Sequence, residues 1–141
     1  MRIWHKDLIP VLPQKQLLGQ WRELCCIARN IAVNGTPNHL LVNKVMTFHP
    51  DHFLKYAMYV NHEMDKRGIH VDLDKFTKWF DQFQDHDPAI PFYKDLFAGW
   101  HNDRYLKQCY YNLEEKHDCG GISDDEWKVI EEWMKTKDKH M

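Results

Sequence analysis

Apolar side chains recur every three or four residues between Gln14 and Val33, and this spacing limits the fold more than any other feature of the chain. An α-helix brings such positions onto one face, which then packs against a core. Pro13 suits the first turn of this helix, and Asn34-Gly35 suits its end. The stripe consists of Leu17, Leu18, Trp21, Leu24, Cys25, Ala28, Ile31 and Ala32. The sequence therefore predicts one long amphipathic helix near the N-terminus.

The same spacing predicts two shorter helices in the middle of the chain. One begins near Pro50, which suits a first helical turn, and runs to Arg67 with Gly68 as its stop. Asp72 is the expected N-cap of the next. Its inward side would carry Leu73, Phe76, Phe80 and Phe83. Residues 85–91 contain two prolines and are predicted to form a loop.

Two more helices are predicted after residue 100. The first covers His101 to Glu115, and Gly120-Gly121 breaks it. Ser123 and Glu126 have the spacing of a capping box and open the last helix. No segment alternates polar and apolar residues over a strand's length, so we expect an all-α fold of about five helices in a single domain over residues 1–141.

Charge is distributed unequally along the chain. Residues 1–70 carry nine Lys and Arg against five Asp and Glu, whereas residues 71–141 carry ten against sixteen. The N-terminal half could therefore face a polyanion while the acidic half faces away, although an ordinary solvated surface accounts equally well for the pattern. No stretch has the length and apolarity of a membrane span or a signal peptide, which favours a soluble cytoplasmic protein.

Four cysteines lack the density of a secreted disulfide scaffold, and we interpret them as reduced thiols. A zinc site formed by Cys109, His117 and Cys119 is an alternative, but no C-x-x-C pair supports it. The ten histidines form no metal-binding motif either. We therefore expect no metal.

An Arg-Glu pair, Arg22-Glu23, lies on the first predicted helix, and Arg2 directly follows the N-terminal residue. Together with Leu17, Leu24 and the later run Lys66-Arg67-Gly68, these positions resemble the pyrimidine-dimer DNA glycosylase (endonuclease V) family. The resemblance implies an endonuclease V-like fold and a DNA repair activity that removes the damaged base and cleaves the abasic strand without a cofactor. It also implies an N-terminal α-amine as nucleophile, Glu23 as the acid/base group and damaged double-stranded DNA as substrate. We expect a monomer, since the protein must admit bulky DNA.

The residues themselves add detail to this expectation. Glu23 points about 150° away from the apolar stripe, so it is not a core carboxylate. Gly19 lies on the same side and would allow another backbone to approach closely. Because Arg2 is too large for the usual removal of methionine, Met1 is expected to remain and to supply the amine.

Candidate DNA contacts follow from the same comparison. We expect Arg2, Arg22 and Arg29 to bind DNA, with Lys15 and Lys44 as further cations and Gln16 at the position of a family histidine. Three tyrosines, Tyr105, Tyr110 and Tyr111, could stack on a flipped base, but their spacing is more typical of a core.

Two other functions remain open. A non-catalytic helical module that binds a nucleic acid or a protein would keep the fold and explain the acidic bias of the second half. A metal-binding protein using His and Cys is a weaker alternative.

Overall fold

The computed structural model describes residues 2–84 and 93–138, and it confirms the predicted all-α fold. Five α-helices lie in these two ranges: α1 (Gln14–Asn34), α2 (Pro50–Lys66), α3 (Asp74–Phe80), α4 (Asp103–Asp118) and α5 (Asp124–Asp138). Three 3₁₀ helices that the sequence pattern did not predict lie between or before them: Lys6–Val11, Val42–Thr47 and Tyr93–Asp95. No β-strand occurs among the described residues.

The ends of α1 and α2 lie where the sequence places them. Gly35 has φ 78°, and its N–H donates to the Ile31 carbonyl at 2.8 Å. Gly68 has φ 80° after α2. Both positions need the left-handed conformation that glycine adopts without strain, so both helices end there.

The later helices differ slightly from the prediction. The Asp72 carboxylate accepts the Asp74 N–H at 2.9 Å, as a cap would, but α3 ends at Phe80 and leaves Phe83 in the following turn. Helix α4 begins at Asp103, two residues later than expected, because the Asn102 side chain caps it. The loop predicted for residues 85–91 lies outside the described residues.

Helix α1 is the central element. It packs against both α2 and α3, while the 3₁₀ helix Lys6–Val11 packs against α2 and α5. An aromatic cluster fills the space between the helices, with Phe53 and Phe76 in edge-to-face contact at 4.9 Å between ring centroids. In the described part of the chain, no helix has the length and apolarity to cross a membrane.

Arg67, directly after α2, hydrogen-bonds the end of the 3₁₀ helix Lys6–Val11 and the residue that follows it. Its guanidinium donates to the Leu12 carbonyl at 2.8 Å and to the Ile9 carbonyl at 3.3 Å, and it pairs with Glu63 at 3.0 Å. These carbonyls lie at the end of the 3₁₀ helix Lys6–Val11, where backbone acceptors commonly need partners from outside the helix. The Lys66-Arg67-Gly68 run therefore both ends α2 and positions the chain that leads to the N-terminus.

We expect Ser123→Ala to lower the free energy of unfolding by about 1 kcal/mol, measured by urea denaturation. Ser123 Oγ accepts the Glu126 N–H and Glu126 Oε1 accepts the Ser123 N–H, both at 3.2 Å, so the capping box predicted from the sequence is present. The matched control is Thr136→Ala, which removes an exposed hydroxyl from the same helix. Equal losses in the two variants would contradict a capping role.

Candidate active site at the N-terminal segment

The N-terminal segment, residues 2–4, has neither helical nor strand structure and is held by the side chain of Gln20. Ile3 and Trp4 are buried, and Gln20 on α1 is 1% exposed. Gln20 Oε1 accepts the Trp4 N–H at 2.8 Å, and Gln20 Nε2 donates to the Arg2 carbonyl at 2.9 Å. One amide thus satisfies a donor and an acceptor of a backbone that has no strand partner.

Two tyrosines complete the fastening of this segment. The Tyr56 hydroxyl on α2 donates to the Trp4 carbonyl at 2.6 Å and lies 3.0 Å from Gln20 Oε1. The Tyr105 hydroxyl on α4 donates to the Ile3 carbonyl. Burial raises the pKa of both Tyr56 and Tyr105, so both hydroxyls keep the proton that they donate.

Glu23 lies one helical turn after Gln20, and its carboxylate contacts the backbone nitrogen of Arg2. The Arg2 N–H donates to Glu23 Oε2 at 3.3 Å. The carboxylate is partly buried, which agrees with the expectation that Glu23 is not a core residue. The prediction for Gly19 is wrong, because a Cβ built there would have no atom within 4 Å. It is the Gln20 amide, rather than a missing side chain at Gly19, that brings the segment close to α1.

The Arg2 side chain packs across the same site. Its guanidinium carbon lies 5.6 Å from the Trp4 ring centroid and 5.9 Å from that of Tyr105, within the range of cation–π attraction. Its Nη1 lies 3.7 Å from the Cys109 sulfur. The guanidinium is therefore oriented by Trp4, Tyr105 and Cys109, while the backbone nitrogen of the same residue contacts Glu23.

Two stacked imidazoles lie beneath the segment, and sequence reasoning did not single them out. His5 and His101 are buried with ring centroids 5.0 Å apart. His101 Nδ1 accepts the Lys6 N–H at 3.0 Å, and burial lowers the pKa of His101 to about 2. Both rings are neutral at neutral pH, since burial also lowers the pKa of His5. They support the segment by packing and hydrogen bonding and not by charge.

A cavity of about 280 Å³ opens beside the N-terminal segment. Tyr105 lines it and also contacts Arg2, so cavity and segment are neighbours. Its other lining residues are Leu41, Lys44, Gly99, Trp100, Asn102, Arg104 and Gln108. Among the described residues that line it are two cations and two aromatic rings, and none of these described residues is acidic.

Most of the other predicted site residues are exposed cations. Arg22, Arg29 and Lys15 are exposed on α1, and Lys44 is exposed at the cavity. Gln16 is partly buried, and its Oε1 has no hydrogen-bond partner among the residues that the structure describes. Met1 lies outside the described residues.

The tyrosines and the zinc alternative can be compared with the structure as well. Tyr105 is buried, as the core interpretation predicts, whereas Tyr111 is 60% exposed. Cys109, His117 and Cys119 do not come together, and the described residues contain no cluster of three metal-binding side chains.

Comparison with known proteins gives one match. A family model described as pyrimidine dimer DNA glycosylase matches residues 1–77, more than half of the 141-residue chain. No curated protein and no solved structure matches significantly. The matched region contains Gln20, Glu23 and Tyr56, while Tyr105 lies beyond it.

We expect Gln20→Leu to lower the free energy of unfolding by on the order of 1–3 kcal/mol, because it leaves the buried Trp4 N–H without a partner. Amide hydrogen exchange at Trp4 should accelerate as well. Gln16→Leu is the matched control one turn earlier, where the side-chain oxygen has no partner to lose. If the two variants exchange Trp4 at the same rate, the amide of Gln20 does not hold the segment.

Proposed function

Because the chain belongs to the pyrimidine dimer DNA glycosylase family, we propose that it excises a damaged base from double-stranded DNA and cleaves the resulting abasic strand with its N-terminal amine. The observation that carries this proposal is the hydrogen bond from the Arg2 backbone nitrogen to Glu23 Oε2 at 3.3 Å. It sets a carboxylate against the beginning of the chain, where an α-amine and an acid/base group have to meet.

The proposed nucleophile is the α-amine of Met1. An α-amine of pKa about 7.7–8.0 is roughly 10% unprotonated at pH 7, whereas a lysine near 10.4 is below about 0.1%. The Met1 amine is one residue, at most about 3.6 Å of chain, before the Arg2 nitrogen that binds Glu23. If methionine is removed, the Arg2 nitrogen that already binds Glu23 becomes the amine.

The proposed chemistry uses this pair and protons from solvent. The amine nitrogen bonds to the sugar C1′ while the glycosidic bond breaks, and the proton that the nitrogen loses passes through Glu23 to the departing base. Glu23, protonated again from water, donates a proton to O4′ as the C1′–O4′ bond breaks, and the resulting protonated imine makes the C2′ protons acidic. Loss of one C2′ proton and departure of the 3′ phosphate then break the strand by β-elimination.

Glu23 serves this sequence in two ways. Its carboxylate accepts and returns protons at the amine and the sugar, and its negative charge stabilises the cationic imine. Partial burial strengthens the second effect, because charges interact more strongly where water is partly excluded. The hydrogen-bonded N-terminal segment keeps the amine in place, which lowers the entropic cost of the attack.

We assign DNA binding to the cations around the candidate active site. Arg22, Arg29 and Lys15 follow one exposed edge of α1 and suit a phosphate track. Lys44 contacts DNA at the cavity, and Gln16 on α1 is a further DNA contact. Arg2, half-buried against two rings, faces the reacting sugar rather than the distant backbone.

Borohydride should trap a covalent adduct between the protein and DNA that contains an abasic site. Acetylation of the N-terminal amine, or a purification tag left before Met1, should abolish trapping and strand cleavage without unfolding the protein. Peptide mapping should find the sugar remnant on Met1, or on Arg2 if methionine has been removed. The control is the same tag after its cleavage.

Two results would overturn the amine mechanism. The first is an adduct on Lys6, a lysine near the site whose pKa burial lowers. The second is full cleavage by the tagged protein. DNA binding without any trapping would favour the non-catalytic binding module instead.

Glu23→Gln should reduce strand cleavage by about 10²–10⁴-fold while DNA affinity changes little, because the amide keeps the shape and can still accept the Arg2 N–H. Cleavage is followed on abasic duplex and affinity by fluorescence anisotropy. Glu132→Gln, an exposed substitution on α5, is the matched control. Wild-type cleavage by Glu23→Gln would remove this carboxylate from the mechanism.

A further inference from the structure

The loop before the second 3₁₀ helix presents a fully exposed leucine. Leu40 is 93% exposed, the largest value among the exposed large apolar residues of the described chain. Its neighbour Leu41 lines the cavity that Tyr105 also lines, and Tyr105 contacts Arg2. An exposed apolar side chain therefore lies one residue from the wall of the cavity beside the candidate active site.

Hydrogen bonds within the loop fix the backbone that presents this leucine. Asn43 Oδ1 accepts the His39 N–H at 3.2 Å, and the Asn43 N–H donates to the His39 carbonyl at 2.7 Å. Thr36 Oγ1 accepts the Asn38 N–H at 3.2 Å. Asn38 has φ 60°, a left-handed conformation that asparagine tolerates better than most residues. The loop is held in shape although Leu40 itself contributes nothing to the core.

The charge around the loop fits a polyanion rather than a protein of mixed charge. Residues 24–50 contain no Asp or Glu, and they include Arg29 and Lys44. Across the cavity, Arg104 adds a third cation. A base stack bordered by phosphates offers an apolar slot for Leu40 and anions for Lys44 and Arg104.

We propose that Leu40 is a wedge that inserts into the DNA base stack beside the reacting nucleotide, with Lys44 and Arg104 on the flanking phosphates. This inference rests on the proposed function, because it needs DNA at the N-terminal segment. Insertion of an apolar side chain unstacks neighbouring bases and kinks the duplex. The wedge thereby exposes the sugar C1′ to the amine, which a stacked duplex shields.

The test uses the full chain and a duplex with 2-aminopurine next to a tetrahydrofuran abasic analogue, which cannot form an imine. Wild-type protein should raise the 2-aminopurine fluorescence on binding, and Leu40→Ala should lose most of that rise. Borohydride trapping on true abasic duplex should slow by about tenfold or more in Leu40→Ala and recover in Leu40→Met. On single-stranded abasic DNA, which needs no wedge, Leu40→Ala should match the wild type.

Val129→Ala is the matched control, since Val129 is 53% exposed on α5 and outside the cavity. Equal fluorescence and equal duplex trapping in wild type and Leu40→Ala would overturn the wedge while leaving the amine mechanism standing. A self-association of the wild type that Leu40→Ala abolishes, with unchanged trapping, would assign the leucine to a second copy of the chain and also overturn it. Failure of the wild type to bind or trap DNA would instead remove the proposed function and the wedge together.

Discussion

The buried side-chain amide of Gln20 determines where residues 2–4 lie. Residues 2–4 lie outside any helix, and the described residues contain no strand to pair with them, so their polar backbone groups need side-chain partners. Gln20 supplies two of these partners, while Tyr56, Tyr105 and Glu23 supply one each. Without Gln20 the Trp4 N–H and the Arg2 carbonyl would lose these partners, at a cost for each buried group. The approach of the Arg2 nitrogen to Glu23 therefore depends on a residue that takes no part in the proposed chemistry.

The site is assembled from both halves of the chain, although the family match ends at residue 77. Tyr105 and Cys109 on α4 contact Ile3 and Arg2, and His101 accepts the Lys6 N–H across 95 positions of sequence. The second half thus provides one wall of the N-terminal groove. Changes in α4 can therefore alter the geometry at the amine even where the first half is unchanged.

Much of the fold could be predicted from the sequence, since helices and their ends are local properties. The spacing of apolar residues along α1 and the capping box of Ser123 both depend on neighbours within a few positions. The role of Gln20 could not be predicted in this way. Periodicity assigns a polar residue beside Glu23 to the solvent, and its burial depends on contacts with residues 2–4 and Tyr56. For the same reason, periodicity alone predicts the contact with residues 2–4 at Gly19, whereas Gln20 makes it.

The acidic bias of the second half has a structural cause that does not require a protein partner. Helices α3, α4 and α5 each carry Asp or Glu in the first turn, and α4 and α5 carry basic side chains in the last turn. Acidic groups at a helix N-terminus and basic groups at its C-terminus interact favourably with the helix dipole. Part of the acidic excess is therefore used within the fold. Residues 24–50, which lack Asp and Glu, leave the surface beside the N-terminal segment free of acidic side chains from that stretch. The unequal charge of the two halves is therefore as compatible with a DNA-binding site beside the N-terminal segment as with a non-catalytic binding module.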